Sequence, residues 1–74
     1  MEDHRPDTDT VLAAAERVCT PEQIAAVQLY EDGLGYRQVA RRLGIGVTTA
    51  RDRLDRAYDR INHDLGIDQH DTEN

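Results

Sequence analysis

A glycine turn at residues 44–46 joins two stretches of helical periodicity, and it limits the possible folds more than any other feature of the sequence. Gly44 suits the position after a helix, where the φ angle is usually positive, and Ile45 offers an apolar side chain to pack between the helices. The stretch before the turn has one apolar stripe with i, i+3, i+4 and i+7 spacing, formed by Tyr36, Val39, Ala40 and Leu43. The stretch after it, about 47–61, continues this spacing at Val47, Ala50, Leu54, Ala57 or Tyr58, and Ile61. Two amphipathic helices joined by a tight turn are the outline of a helix-turn-helix.

Two further helices are predicted before this pair. In the second of them Thr20 can cap the start, Pro21 suits the first helical position, and Gln23 completes a capping box. This helix is predicted to run to about Asp32 and to end at Gly33. Its apolar residues cover more than one stripe, which predicts that it forms the centre of the core. The first helix, capped by Asp9 or Thr10, carries the apolar residues Val11, Leu12, Ala15, Val18 and Cys19.

The length of 74 residues allows one domain at most. The predicted fold is all-α: a small four-helix domain with a helix-turn-helix at residues 9–66, between disordered acidic tails at 1–8 and 67–74. No apolar run approaches the ~20 residues of a membrane span, and the polar, acidic N-terminus does not resemble a signal peptide. Cys19 is the single cysteine, which excludes an internal disulfide framework and favours the cytoplasm.

The charge of the chain is divided sharply along its length. The net charge is -6, but residues 37–60 contain seven arginines and three aspartates and carry +4. Residues 1–36 carry -6 and residues 61–74 carry -4. The basic excess therefore coincides with the predicted helix-turn-helix, where it can attract phosphate despite an acidic whole.

The fourth helix begins with side chains suited to the major groove of DNA. Val47, Thr48 and Thr49 are small, and their methyl groups and the threonine hydroxyls can contact base edges. Arg51 suits bidentate contact with guanine, and Asp52 can accept from the amino group of cytosine. Arginines farther along this helix suit phosphate contacts: Arg53, Arg56 and Arg60. Three arginines on the preceding helix add positive charge nearby: Arg37, Arg41 and Arg42.

A second interpretation of this charge pattern is a solvated helix face. Asp52–Arg56 and Asp55–Arg51 have the i,i+4 spacing of surface ion pairs. The turn, the small residues at the helix start and the local positive charge favour DNA contact instead.

Other side chains with reactive chemistry predict no catalytic or metal site. The histidines lack the spacing of metal ligands, Cys19 is expected in the core, and the tyrosines are expected to pack rather than to stack on bases. If the face with Val27 and Tyr30 is buried, Ile24 is left at the surface and becomes a candidate for a dimer or partner interface. No catalytic dyad and no phosphate loop is present, so neither enzyme activity nor a cofactor is expected. The histidines are His4, His63 and His70, and the tyrosines are Tyr30, Tyr36 and Tyr58.

The segment from Thr20 to Ile61 resembles a known class of domain. The Thr-Pro-Glu-Gln start, the Gly-Leu-Gly-Tyr link, Val-Ala-Arg-Arg-Leu-Gly-Ile and the Arg-Asp-Arg-Leu helix look like region 4 of sigma factors. They are also similar to the DNA-binding domain of quorum-sensing response regulators. The resemblance implies a last helix in the major groove and makes RNA polymerase a candidate partner. It implies base contacts from Thr48, Thr49, Arg51 and Asp52, and phosphate contacts from Arg37, Arg53 and Arg56. Gly35 and Gly46 depart from the serine or threonine usual at the two helix starts, which predicts weaker caps.

Three functions are consistent with these observations. The first is a sequence-specific regulator of transcription that binds double-stranded DNA and acts as a homodimer, because one small module buries little surface. The second is a protein-interaction module that kept this fold and binds RNA polymerase or another regulator. The third is a purely structural helical bundle.

Overall fold

The computed structural model describes residues 6–67, and they form four helices without a strand. The helices are α1 (Thr8–Val18), α2 (Pro21–Glu31), α3 (Tyr36–Leu43) and α4 (Val47–Asp64). This confirms the predicted all-α fold with four helices. The α3 helix begins and ends with the predicted apolar stripe, at Tyr36 and Leu43, and α4 continues to Asp64, beyond its predicted end near Ile61.

The capping box at the start of α2 is present as predicted. The backbone N–H of Gln23 donates to Thr20 Oγ1 at 3.2 Å, and that of Thr20 donates to Gln23 Oε1 at 3.0 Å. At α1 the predicted cap, Asp9 or Thr10, is wrong. Asp7 caps this helix by accepting from the N–H of Thr10 at 3.0 Å. The side-chain and backbone hydrogen bonds from Thr10 lower the pKa of Asp7.

The start of α1 shows that the predicted N-terminal tail was too long. Thr8 is helical and donates to Glu31 Oε1 at 2.9 Å, so the helical domain begins inside the range predicted as the N-terminal tail. Residues 1–5 and 68–74, which make up most of the two predicted tails, lie outside the described residues.

Glycines end three of the four helices with the same pair of hydrogen bonds. At the end of α3, Ile45 N–H donates to Ala40 O at 2.9 Å and Gly44 N–H donates to Arg41 O at 3.2 Å. Gly44 has a φ angle of 69°, a left-handed conformation in which a side chain would be strained. The predicted role of Gly44 is therefore correct, and the same arrangement recurs at the ends of α2 and α4.

The α4 helix contributes more buried residues to the core than any other helix, and it packs against all three of them. The α2 helix also contacts the other three, so the predicted central position of α2 is shared with α4. Alanines at the helix contacts allow close approach, while Leu54, Ile61, Val27 and Val39 are the largest fully buried side chains. The buried residues are Val11, Ala14, Ala15, Ala26, Val27, Val39, Ala40, Ala50, Leu54, Ala57 and Ile61.

Polar contacts fix the C-terminal half of α4 against the end of α1. Arg17 forms an ion pair with Asp64 through two guanidinium nitrogens, and Arg60 donates to Val18 O at 3.2 Å. Cys19 is half-buried against the core, with its Sγ 3.7 Å from Ala57 O, and burial raises the pKa of its thiol. These contacts hold one end of α4 and leave its N-terminal end as the open part of the helix.

Ile24 does not form an exposed patch. It is half-buried and packs against the core, so the suggested role as an exposed interface residue is not supported. The exposed large apolar residues within 6–67 are Tyr30, Val47 and Ile67.

Candidate nucleic-acid interface

The α3 helix, the turn and α4 form a helix-turn-helix whose inner faces pack together. The buried residues on the inner side of α3 are Val39 and Ala40, and those on the inner side of α4 are Ala50 and Leu54. Ile45 is half-buried against this core, as the sequence predicted for the turn. Because the turn follows the left-handed Gly44, the direction of α4 relative to α3 is set by backbone hydrogen bonds rather than by a flexible loop.

The first turn of α4 presents three side chains to solvent. Val47 is 45% exposed, Thr48 and Thr49 are exposed, and Ala50 is completely buried. The sequence assigned Val47 both to the apolar stripe and to the base-contacting set. The structure excludes it from the buried stripe, so an apolar side chain lies at the open end of the helix. Gly46 provides no side-chain cap here, as predicted.

The face of α4 opposite the core is not uniformly basic. Burial at Ala50, Leu54, Ala57 and Ile61 leaves a line of exposed residues with spacings of three and four: Thr48, Asp52, Asp55 and Asp59. The arginines of this helix lie beside that line. Arg51 lies on the side of α3, over the ring of Tyr36, and Arg53 and Arg56 lie on the side of the α2 start. The positive charge therefore borders the outer face from two sides.

Arg51 lies over an aromatic ring instead of pairing with Asp55. Its guanidinium carbon is 5.6 Å from the ring centroid of Tyr36, within the range of a cation–π contact. Within residues 6–67 the Arg51 side chain makes neither a hydrogen bond nor an ion pair, so the predicted Asp55–Arg51 pair does not form. Burial raises the pKa of the Tyr36 phenol, the neighbouring Tyr30 and Asp55 raise it further, and Arg51 opposes them.

The predicted Asp52–Arg56 pair does form. Arg56 Nε lies 3.0 Å from Asp52 Oδ2, with the two side chains 72% and 61% exposed. An exposed pair of this kind contributes at most about 1 kcal/mol, so either group can exchange its partner for another ligand. The pair borders a shallow groove between α4 and the start of α2, lined by Thr20, Glu22, Gln23, Thr49, Asp52, Arg53 and Arg56.

The arginines of α3 lie apart from that groove. Arg37 and Arg41 are exposed and one helical turn apart. Arg41 and Arg42 line a second groove with Gln38 and the link that follows α2. At the start of α3, Gly35 N–H donates to Gln38 Oε1 at 3.0 Å, which is half of a capping box. Glycine has no side chain to complete it, as the sequence predicted.

Two residues of this surface were missing from the predicted site. Asp55 is exposed one turn after Arg51 and Asp52, and its spacing from Thr48 was a signal that could have identified it. Tyr36 was assigned only to the buried stripe of α3, whereas its half-buried ring also supports Arg51. That contact joins residues 15 positions apart on two helices, and no local spacing reveals it.

A comparison with protein-family models found a match to the homeodomain-like domain family over residues 20–61. The chain belongs to this homeodomain-like family. The matched range starts at the capping residue Thr20 and covers α2, α3 and α4 as far as Ile61. No curated protein and no solved structure matched the chain. Helix-turn-helix domains of the homeodomain type bind DNA, so the family supports DNA binding.

The family match leaves finer distinctions open. It does not separate sigma region 4 from the quorum-sensing regulators, so that resemblance stays a prediction.

Within residues 6–67, no cluster of three or more potential metal-ligating side chains is present. None of the helices in this part of the chain is long and apolar enough to cross a lipid bilayer.

Proposed function

We propose that this homeodomain-like domain is a sequence-specific regulator of transcription that binds double-stranded DNA with the N-terminal half of α4 in the major groove. The observation that carries the proposal is the open start of α4. Its first turn exposes Val47, Thr48 and Thr49 while Ala50 anchors it to the core. One turn later, Arg51 carries hydrogen-bond donors that no residue within 6–67 engages.

Base recognition is assigned to the exposed residues of the first two turns of α4. The threonine hydroxyls donate or accept at base edges, and the methyl groups of Val47, Thr48 and Thr49 contact the thymine methyl. Arg51 donates two hydrogen bonds to O6 and N7 of a guanine. Asp52 accepts from a cytosine amino group after exchanging its exposed pair with Arg56.

Phosphate contacts are assigned to arginines on α4 and on the neighbouring α3 helix. Arg53 and Arg56 lie on the α2 side of α4, and Arg37 and Arg41 lie on α3. These contacts fix the orientation of the domain on the duplex without reading sequence. Affinity then falls as salt concentration rises, because bound arginines release counterions from the DNA.

The proposal includes a cytoplasmic homodimer without enzyme activity. One helix-turn-helix module buries too little surface for tight binding, and two-fold dimers place two reading helices on two half-sites. The α1 helix and the segment after Ile61 are the candidate dimer contacts, because polar contacts place the end of α1 beside the C-terminal half of α4, away from its exposed start.

Selection from a random duplex pool, followed by fluorescence anisotropy titration, tests the proposal. Arg51→Ala should weaken binding to the selected duplex about 5- to 150-fold, the equivalent of about 1–3 kcal/mol for a bidentate guanine contact. Arg42→Ala is the matched control, since Arg42 is an exposed arginine outside the assigned set. It should weaken selected and unselected duplexes equally and only slightly. Failure to bind any duplex at low salt, or full affinity in Arg51→Ala, would contradict the proposal.

A second candidate function is favoured by the acidic outer line of α4. Asp52, Asp55 and Asp59 occupy the face opposite the core, and Asp52 already neutralises Arg56. Carboxylates placed there repel phosphate and suit a basic protein surface, such as a site on RNA polymerase. Co-purification with RNA polymerase that survives nuclease treatment, together with no duplex binding, would support this function over the first.

A further inference from the structure

Building on the proposed DNA-binding function, we infer that Tyr36 is a positioning residue that holds the Arg51 guanidinium ready to read a guanine. The sequence assigns Tyr36 to the buried stripe of α3, and in the structure its ring also lies against Arg51, an exposed residue of α4. The contact lies beside the exposed first turns of α4, where the base-reading residues are proposed.

A row of side chains from three helices supports Arg51. The Arg51 guanidinium lies 5.6 Å from the centroid of the Tyr36 ring. The Tyr36 ring is stacked on Tyr30, with centroids 5.6 Å apart and planes 15° apart. Tyr30 in turn meets Tyr58 edge to face at 5.7 Å, and the Tyr58 hydroxyl donates to Glu31. The ring beneath Arg51 is therefore held in place by its neighbours.

The contact between Arg51 and the Tyr36 ring is compatible with base recognition by the same guanidinium. A guanidinium has five N–H donors around its edge, and its flat face is what meets an aromatic ring. A guanidinium that meets a ring with its face keeps its edge available for two parallel hydrogen bonds to guanine O6 and N7. Within residues 6–67 these donors have no other partner.

Arg56 differs from Arg51 in that its guanidinium is already paired with a carboxylate. Arg56 uses its Nε edge to pair with Asp52, so it must break that pair to bind DNA through the same edge. Arg51 also has a carboxylate four residues away, Asp55, in the reverse order along the helix, which is the weaker orientation for an ion pair. Its guanidinium lies over Tyr36 instead. Tyr36 thus restricts the long arginine side chain and keeps it from a competing carboxylate, which lowers the ordering cost of binding.

The test measures discrimination between the selected duplex and the same duplex with the contacted guanine replaced. The variants are Tyr36→Leu, which keeps an apolar side chain without a ring, and Tyr36→Phe, which keeps the ring. Tyr36→Leu should lower discrimination about two- to fivefold, which at 1.4 kcal/mol per tenfold is about 0.5–1 kcal/mol, the range of an exposed cation–π contact. Tyr36→Phe should stay within twofold of wild type. Circular dichroism confirms that each variant is folded.

A second readout does not depend on DNA. The ring of Tyr36 should shift the NMR signal of the Arg51 Nε–H group, and this shift should persist in Tyr36→Phe and disappear in Tyr36→Leu. In an Arg51→Ala background, Tyr36→Leu should have no further effect on discrimination, because the group that it positions is gone.

The outcomes separate this inference from the proposed function. If the wild-type chain binds no duplex or does not discriminate, both are overturned. If discrimination depends on Arg51 but is unchanged in a folded Tyr36→Leu variant, only the positioning role is overturned. An equal effect of Tyr36→Leu with and without Arg51 would assign Tyr36 to core packing alone.

Discussion

Replacing Gly46 with serine should stabilise the domain, because α4 begins without a side-chain cap. Gly46 has φ -73° and ψ 158°, an extended conformation open to any residue, and a Cβ there would meet nothing within 4 Å. The serine hydroxyl can accept from the N–H of Thr48 or Thr49, a gain of a few tenths of a kcal/mol over glycine. The reduced freedom of the unfolded chain adds about 0.4–1 kcal/mol. Gly46→Ser should therefore raise the free energy of unfolding by about 1 kcal/mol.

The matched control is Gly44→Ser, two residues earlier in the same turn. Gly44 also has open space around a built Cβ, but its φ angle of 69° costs a non-glycine residue about 1–2 kcal/mol. The same side chain should thus stabilise at 46 and destabilise at 44. Urea unfolding followed by circular dichroism measures both, and the melting temperature of a domain of this size should move about 4–8 °C per kcal/mol. Equal effects at the two positions would refute the capping argument.

Three further predictions concern the core, the thiol and the phosphate contacts. Leu54→Ala removes a fully buried side chain of α4 and should cost about 2–5 kcal/mol, enough to leave much of this small domain unfolded by circular dichroism; a loss below 1 kcal/mol would contradict the core assignment. Cys19, half-buried with a raised pKa, should react with iodoacetamide at pH 8 several-fold more slowly in the folded chain than in urea, and equal rates would show that the thiol is open. With four arginines on phosphates in each domain, log K should fall with log salt at a slope of about -3 to -4 per bound domain, and Arg53→Ala should reduce its magnitude by about 1 per domain; an unchanged slope would remove Arg53 from the interface.

The helices were predictable where local signals are strong. The capping box at Thr20 and the stripe that ends at Gly44 define α2 and α3 without reference to the rest of the chain. The start of α1 was not predictable in this way, because Asp7, Asp9 and Thr10 are all good capping residues. The contact of Thr8 with Glu31 on α2 supports the earlier start, and such a contact is absent from local sequence.

The position of the candidate site was predictable from the sequence, but which of its arginines form ion pairs was not. The exposed start of α4 and the Asp52–Arg56 pair follow from helical spacing alone. The same spacing predicted a pair between Asp55 and Arg51, which the tertiary contact with Tyr36 replaces. The distribution of charge along the sequence also predicted only part of the charge distribution on the surface. Sequence gives the +4 of residues 37–60, whereas the fold decides that aspartates occupy the outermost line of α4 and arginines its borders.

Chemical-shift mapping of the ¹⁵N-labelled full chain with a selected duplex tests the central claim most directly. Recognition by α4 predicts that the largest amide shifts fall on residues 47–56, with smaller shifts at Arg37 and Arg41 on α3. An equal titration with an unselected duplex should move the arginine-bearing segments and leave Thr48 and Arg51 nearer their free positions. Shifts centred on α1 or on the acidic ends of the chain, with residues 47–56 unmoved, would contradict the account.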